Sequence, residues 1–162
     1  GKVRGRQDCA PCGKLLPSLF EKVGDQLRKA GFQFTQTVDS RTGLLSLRTD
    51  LLSVEQILTN LADNAIKYAA GKQASVSIQA IQTHRLLAIR FTDNGPGINQ
   101  SARKQLFQPF SRSAKAVAGS KPGIGLGLAL SRDLARSIGG DLKLERSDDS
   151  GTTFLLSLPL GE

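Results

Sequence analysis

The sequence SVEQILTNLADNAIKYA (residues 53–69) carries two adjacent stripes at the spacing of an α-helix. One stripe is apolar, and we expect it to pack against a sheet. The other contains three amides and a lysine: Gln56, Asn60, Asn64 and Lys67. This second stripe is either a merely polar surface or a row of ligand-binding groups. Asparagine is a poor helix former, so its use here favours ligand binding over a plain solvent-exposed surface. Amide oxygens can coordinate Mg²⁺ beside phosphates, and a lysine can neutralise phosphate charge.

Periodicity on both sides of this helix predicts the other elements. We expect helices over residues 14–30, 53–69 and 126–138, with Ser53 as the N-cap of the second and Gln56 completing its capping box. We expect strands over residues 32–38, 45–48, 74–81, 86–92, 141–146 and 153–158, with turns between them. This order predicts an α+β fold, a two-layer sandwich with a mostly antiparallel sheet of about five strands and about three helices on one face.

The domain organisation follows from the same pattern. Residues 1–12 are basic and contain Gly and Pro, which is typical of a linker, and residues 13–162 are expected to form one domain. Residues 95–124 show little regular pattern beyond a short helix near 102–106, and a loop of this length is usually a functional lid. The stretch 99–121 has five basic residues and no acidic one, which suits a triphosphate or an acidic partner: Arg103, Lys104, Arg112, Lys115 and Lys121.

Composition argues against several classes of function. The net charge of +8 is accompanied by one Tyr and no Trp, so the pattern of aromatic and basic residues used by single-strand binders is missing and no nucleic-acid partner is expected. No apolar run is long enough to span a bilayer, and a cytoplasmic setting without membrane contact is expected. Cys9 and Cys12 form a CxxC without a second pair, so we expect an incidental pair rather than a zinc site.

The segment DNGPGI (residues 93–98) follows an apolar strand. Asp93 would be partly buried there, and a buried carboxylate costs free energy unless it is hydrogen-bonded. The exocyclic amino group of a purine is a donor that could satisfy it. Gly95 and Gly97 allow positive φ angles and close approach of a ligand, although the same letters also make a good turn without any ligand.

The segment GIGLGL (residues 123–128) leads directly into a helix. Backbone N–H groups at a helix N-terminus form an anion-binding site. The spacing is neither the dinucleotide fingerprint nor a P-loop. Glycine-rich loops are weak signals individually, but three separate elements in this order are a strong one.

These segments resemble the conserved boxes of sensor histidine kinase ATP-binding domains, members of the GHKL family that also includes the gyrase and MutL ATPases. In this chain, LTNLADNAIKY (58–68) resembles the N box of the family. DNGPGI (93–98) and GIGLGL (123–128) resemble its two glycine boxes. The aromatic box resembles FQPF (107–110), and the last box resembles GTTF (151–154). The resemblance covers nearly the whole chain and implies the Bergerat ATP-binding fold.

The resemblance also implies roles for the matched residues. Asn64 would hold Mg²⁺ between the ATP phosphates, Asn60 would lie near the γ-phosphate, and Lys67 would meet phosphate; these three form the expected catalytic set. Tyr68 would pack on the adenine, and Asp93 would accept its amino hydrogen. The other expected ATP-binding residues are Gly95, Gly97, Ile98, Phe107, Phe110, Gly123, Ile124, Gly125, Leu126, Gly127, Leu128, Thr152 and Thr153. The implied cofactors are ATP and Mg²⁺.

The phosphoacceptor of the resembled family is a histidine on a separate dimerising hairpin. The sole histidine, His84, falls in a predicted turn, so we expect the acceptor to lie elsewhere and this fragment to be monomeric and unable to autophosphorylate alone. The implied partners are the acceptor hairpin of a parent kinase and a response regulator. Anchoring of the parent in the inner membrane is an alternative that the sequence leaves open. Two alternatives stay open: a GHKL-type ATPase or anti-sigma-factor serine kinase, and an inactive nucleotide-binding module. An amide at position 60 cannot act as a general base, which favours the kinase over the ATPase.

Overall fold

A computed structural model of the protein describes residues 8–108 and 124–160. Two predicted nucleotide-binding residues, Phe110 and Gly123, lie outside these ranges. Residues 1–7 of the predicted linker and residues 109–123 of the predicted lid also lie outside them.

The three long helices and the six predicted strands occur in the predicted order, and residues 40–43, predicted as a turn, form one helical turn. The helices are α1 (Cys12–Lys29), α2 (Ser40–Gly43), α3 (Leu51–Tyr68), α4 (Gln100–Arg103) and α5 (Ile124–Ser137). The strands are β1 (Asp8–Pro11), β2 (Gln33–Val38), β3 (Ser46–Thr49), β4 (Ser75–Thr83), β5 (Leu86–Asp93), β6 (Asp141–Asp148) and β7 (Gly151–Pro159). Within the two described ranges, no helix is both long enough and apolar enough to cross a membrane.

Five strands form the main sheet in the order β2-β4-β5-β7-β6. The β2–β4 pair is parallel, and the β4–β5, β5–β7 and β6–β7 pairs are antiparallel. Strands β1 and β3 pair separately as a two-stranded antiparallel sheet. The predicted α+β fold with a mostly antiparallel five-stranded sheet is therefore confirmed.

The core lies between the main sheet and the three long helices. One face of β5 is buried in alternation, through Leu87, Ile89 and Phe91, and the facing residues of β7 include Phe154 and Leu156. Helices α1, α3 and α5 supply the other layer, with buried side chains that include Leu16, Phe20, Ile57, Leu58, Leu61 and Leu128. Because β5 and β7 are antiparallel, the end of β5 lies beside the start of β7.

Helix α3 begins earlier than predicted. Asp50 is its N-cap, because the Asp50 carboxylate accepts hydrogen bonds from the backbone N–H groups of Leu52 and Ser53. The predicted N-cap, Ser53, is wrong: its hydroxyl donates to the same carboxylate at 3.2 Å from within the first turn. An Asp three residues upstream is itself a strong N-cap residue, and it caps the N–H groups of an earlier turn that includes Ser53.

The largest departure lies at the start of the described chain. Residues 8–11, predicted to be linker, form β1 in register with β3, with Asp8 opposite Thr49 and Pro11 opposite Ser46. Helix α1 then begins at Cys12. This strand pairs through its backbone with residues about 40 positions later in the chain. Its own sequence has no alternation of apolar residues from which a strand could be predicted.

Candidate nucleotide-binding site

Asp93 ends β5 with a carboxyl group that is almost fully buried, at 9% relative exposure. The backbone N–H groups of Gly95 and Thr152 donate to this carboxyl group, the former at 2.8 Å. Burial raises the pKa of Asp93, and the two N–H donors only partly oppose that rise. The carboxylate is therefore incompletely compensated, and it would gain from a further donor such as an amino group on a ligand.

The first glycine box is wedged between two other elements. A Cβ on Gly95 would lie 2.6 Å from the Cβ of Ala69, which caps the C-terminus of α3. A Cβ on Gly97 would lie 2.3 Å from the Asp148 carbonyl oxygen, and Gly97 has a φ of +86° that other residues rarely adopt. Both glycines are therefore demanded by the packing of this loop against α3 and the β6–β7 turn.

A small network holds the next residue of the loop. The backbone N–H of Ile98 donates to the Ser147 hydroxyl at 2.8 Å, and that hydroxyl lies 3.0 Å from Thr152 Oγ1. Arg103 donates to the carbonyl oxygens of Ile98 and Ser147 at 2.8 and 2.7 Å. Arg103 was predicted only as one of five basic residues that suit a triphosphate or an acidic partner, and here it bonds two backbone carbonyl oxygens. Ser147 was not predicted as a site residue; it fell in a predicted turn, where only the sheet register reveals that it faces Thr152.

The two predicted threonines of β7 lie on opposite faces of the sheet. Thr152 stands opposite Asp93 in the β5–β7 register, on the face covered by helices. Thr153 stands opposite Thr92, and the hydroxyls of these two residues are 3.0 Å apart on the other face. The geometry places Thr152 beside Asp93 and separates Thr153 from it, so Thr152 is the better candidate for the nucleotide site.

The polar stripe of α3 divides into two kinds of side chain. Asn60 is committed to other residues: its Nδ2 donates to Ser131 Oγ at 2.9 Å and more weakly to the Gly127 carbonyl oxygen at 3.4 Å. Asn64, one turn later, is half-buried and makes no hydrogen bond with the described part of the chain. Lys67 is exposed in the last turn, and the pKa of the half-buried Tyr68 is raised by burial.

The described residues of the second glycine box, 124–128, lie at the start of α5 rather than in a loop before it. The backbone of Ile124, Gly125, Leu126 and Gly127 is helical, so the N–H groups at this end have no intrahelical acceptor. A Cβ on Gly127 would meet no atom of the described residues within 4 Å outside its own helix backbone. Leu128 is fully buried in the core, so its side chain supports the helix and only its backbone belongs to this end.

Phe107, the first residue of the aromatic box, is held between β7 and α5. Its ring meets Phe154 edge-on, with centroids 6.4 Å apart and planes at 89°. The Arg132 guanidinium lies over the other side of Phe107, with its central carbon 4.5 Å from the ring centroid. Arg132 was not predicted as a site residue, and its neighbour Ser131 was missed too. The spacing of four residues from Gly127 to Ser131 on one helix face was the available signal.

The structure brings some of the predicted groups that it describes into contact with α3 or with one another. Gly95 contacts Ala69 at the end of α3, Asn60 contacts α5, and Asp93 adjoins Thr152. His84 lies apart from them, in the β4–β5 turn with a φ of 57°, at the opposite end of β5 from Asp93. The length of that strand separates the two residues by roughly 25 Å.

A family model described as histidine kinase-, DNA gyrase B-, and HSP90-like ATPase matches residues 49–162. The chain belongs to this family. The matched range contains α3 and both glycine boxes, and it therefore includes every element of the site. ATP is accordingly the nucleotide expected here.

Curated proteins similar to this chain include sensor proteins, and they indicate which branch of the family this chain belongs to. Virulence sensor protein BvgS of Bordetella bronchiseptica is 35% identical over 163 residues, covering 96% of this chain and 13% of that protein. Sensor protein KdpD of Escherichia coli is 37% identical over 144 residues, covering 88% of this chain and 16% of that protein. The chain therefore spans only a small part of the length of these relatives. Within the family it is an ATP-binding catalytic domain of the sensor histidine kinase type.

Solved structures show the same fold. The catalytic domain of histidine kinase ThkA superposes with a TM-score of 0.74 at 22% identity, and the match covers 95% of both chains. Full-length ShkA in complex with AMPPNP gives a TM-score of 0.78 at 23% identity, covering 99% of this chain and 32% of that one. The second match places the shared fold within a longer protein.

Proposed function

We propose that this domain binds ATP with Mg²⁺ and donates the γ-phosphoryl group to a histidine on a separate helical hairpin of a longer sensor kinase. The observation that carries this proposal is the buried, incompletely compensated Asp93 carboxylate beside the end of α3. The uncommitted Asn64 side chain lies on the same helix. The end of β5 thus offers an acid that could bind the adenine base, and α3 offers an amide that could bind on the phosphate side.

The number of hydrogen bonds that Asp93 already accepts supports adenine binding at this residue. Asp93 already accepts from two backbone N–H groups, and a carboxylate has about four lone-pair positions for donors. The exocyclic amino group of adenine would supply another donor to a carboxylate whose desolvation is already imposed by the fold. Thr152, whose hydroxyl lies 3.0 Å from Ser147, stands directly beside this position. Tyr68, near the end of α3, would pack against the base.

The phosphate end uses α3 and the start of α5. Asn64 offers a carbonyl oxygen, a ligand type that Mg²⁺ accepts alongside phosphates and waters, and its lack of a described partner fits that role. Lys67 would bind phosphate, and the N–H groups of the first turn of α5 would receive the anionic oxygens. Bound Mg²⁺ supplies charge neutralisation at the phosphates.

Transfer to histidine is favoured over hydrolysis because no base is offered at position 60. An amide cannot remove a proton from water, and the Asn60 amide is in any case held by Ser131 and Gly127. Phosphoryl transfer to a neutral imidazole relies mainly on positioning and charge neutralisation. In that step the bond from phosphorus to the β,γ-bridging oxygen breaks, a bond to the imidazole nitrogen forms, and ADP leaves.

The acceptor in this proposal is supplied by the parent protein. His84 cannot meet the phosphates of a nucleotide seated at Asp93 in the same chain, because it lies at the far end of β5. We propose that the parent carries the dimerising hairpin, that a response regulator takes the phosphoryl group onward, and that this domain works in the cytoplasm. The parent itself would be anchored in the inner membrane, and the isolated domain would be monomeric.

The test is transfer of labelled phosphate from ATP to the parent's histidine hairpin, expressed separately and mixed with this chain. We expect label on the hairpin, none on this chain, and dependence on Mg²⁺. Asn64→Ala should reduce the rate at least about tenfold, since a metal-binding group is lost. Thr153→Val is the matched control, because its hydroxyl lies on the opposite face of the sheet, and it should keep the wild-type rate. Steady release of inorganic phosphate with an unlabelled hairpin would instead support the ATPase alternative.

A further inference from the structure

A three-residue polar contact joins α3 to α5. Asn60 Nδ2 donates to Ser131 Oγ at 2.9 Å, and the Ser131 hydroxyl donates to the Gly127 carbonyl oxygen at 2.8 Å. The same Asn60 nitrogen lies 3.4 Å from that carbonyl oxygen. Three residues from two helices are therefore connected by three hydrogen bonds around one backbone carbonyl of the second glycine box.

The contact leaves no polar atom of its two side chains unused. Ser131 is 0% exposed, and its hydroxyl acts once as donor and once as acceptor. The remaining polar atom of Asn60, Oδ1, accepts from Gln56 Nε2 at 3.0 Å within α3. A buried hydroxyl with both functions satisfied is costly to disturb, because its removal leaves a donor on the neighbouring helix without its partner.

The position of the contact decides what it controls. Gly127 lies in the first turn of α5, whose N–H groups have no acceptor within the helix and form the expected phosphate-binding end. Asn60 precedes Asn64 by one turn of α3, a rise of about 6 Å along the helix. The contact thus fixes the start of α5 relative to the residue expected to hold the metal.

We propose that Ser131 is a positioning residue for nucleotide binding, acting through Asn60 to set the first turn of α5 against α3. The inference rests on the proposed function and assigns Asn60 to the same positioning task rather than to contact with reacting atoms. Neither residue needs to touch the nucleotide. Both lower the cost of bringing the N–H groups of α5 and the Asn64 amide to one set of phosphates.

The test is a double-mutant cycle on ATP affinity in the full 162-residue chain, measured by calorimetry in Mg²⁺ well below the melting temperature of every variant. Ser131→Ala should weaken ATP binding about three- to tenfold, the effect of losing one net hydrogen bond. Asn60→Ala should weaken it by a similar factor. The double variant should be no weaker than the weaker single variant, because the two residues act through one contact.

Ser137→Ala is the matched control on the same helix. The Ser137 hydroxyl also donates to a carbonyl oxygen of its own helix, that of Leu134 at 2.8 Å, but it is exposed and the described structure gives it no partner on another helix. This variant should bind ATP as the wild type does. A general loss of helix stability would affect Ser137→Ala as well, whereas a positioning role would not.

The outcomes separate this inference from the proposed function. Wild-type chain that binds no ATP would remove the proposed function itself. Wild-type binding with unchanged affinity in Ser131→Ala, or with losses that multiply in the double variant, would overturn only the positioning role. If Ser131→Ala fails to fold, Asn60→Ala breaks the same contact from the half-exposed side, and unchanged affinity in that variant overturns the inference.

Discussion

The two glycine boxes use glycine for opposite reasons. In the first box, a Cβ on Gly95 or Gly97 would collide with Ala69 or with the Asp148 carbonyl oxygen, and Gly97 has a positive φ. In the second box, a Cβ on Gly127 would point into space that no described residue fills. The first box is glycine because the protein packs against it. At Gly127 of the second box the described residues leave room for a side chain, and we propose that this open side faces the ligand.

The glycines of the first box are therefore expected to matter mainly for stability, and Gly127 mainly for ligand binding. Glycine inside a helix costs roughly 1 kcal/mol relative to alanine, so Gly127 makes α5 less stable than it needs to be. The fold gains nothing from that cost in the described contacts. The glycines of the first box, in contrast, allow β5, α3 and the β6–β7 turn to approach one another.

The largest expected effect is that of Gly97→Ala on stability. The new methyl group must adopt a positive φ and meet the Asp148 carbonyl oxygen, so we expect a loss of about 3 kcal/mol in the free energy of unfolding. Urea unfolding followed by circular dichroism measures it. Gly71→Ala is the control, because a Cβ there meets no described atom within 4 Å, and it should change stability by less than about 0.5 kcal/mol. Equal stabilities for the two variants would contradict the claim that the first glycine box is glycine because the protein packs against it.

A smaller and opposite effect is expected from Gly127→Ala. The substitution should stabilise the nucleotide-free chain by up to about 1 kcal/mol through helix propensity. It should also weaken ATP binding about tenfold, because the methyl group occupies the surface left for the ligand. Thermal unfolding and calorimetric titration of the same sample measure the two effects. Asp133→Ala, on the exposed face of α5, should give the stabilisation without the loss of binding.

Unchanged ATP affinity in Gly127→Ala would show that the open side of Gly127 is not a ligand surface. The packing role of Gly95 and Gly97 would be unaffected by that result. A loss of stability in the same variant would indicate that residues outside the described ranges fill that space.

The smallest expected effect is a pH dependence that involves Asp93. Burial raises the pKa of Asp93 in the folded chain, so its contribution to stability is fully present below the ordinary pKa of aspartate and is lost as pH rises through the raised value. Wild type should therefore lose stability relative to Asp93→Asn as the pH rises from about 4, the ordinary pKa of aspartate, towards neutrality. Melting temperatures of both proteins across this range measure the difference. A difference that moves in the other direction would mean that hydrogen bonds, rather than burial, dominate at this carboxyl group.

Much of the fold could be predicted because its elements have strong local periodicity. The apolar stripe of α3 and the alternation in β5 depend only on neighbouring residues, and both elements were predicted with boundaries a few residues from those observed. Strand β1 and the Asp50 cap were not predicted. The first depends on pairing with a distant strand, and the second on a competition between two nearby capping residues.

The site was predictable where a residue type has a distinctive chemistry at a distinctive position. An acid at the end of an apolar strand pointed to Asp93, and an amide in a helix pointed to Asn64. The division between Thr152 and Thr153 required the sheet register, and the contact of Ser131 with Asn60 joins residues 71 positions apart in the chain. Roles for the predicted residues in binding ATP stay predictions.

The most direct test of the account is a calorimetric titration of ATP with Mg²⁺ into the wild-type chain and into Asp93→Asn. The variant keeps the size of the side chain but replaces the carboxylate with an amide, which presents a donor where the adenine amino group also donates. We predict saturable binding to the wild type and affinity at least about 100-fold weaker in the variant, as expected when a charged hydrogen bond is lost and polar groups are left unpaired. Equal affinity in the two proteins would contradict the assignment of Asp93 to the nucleotide and with it the site described for this domain.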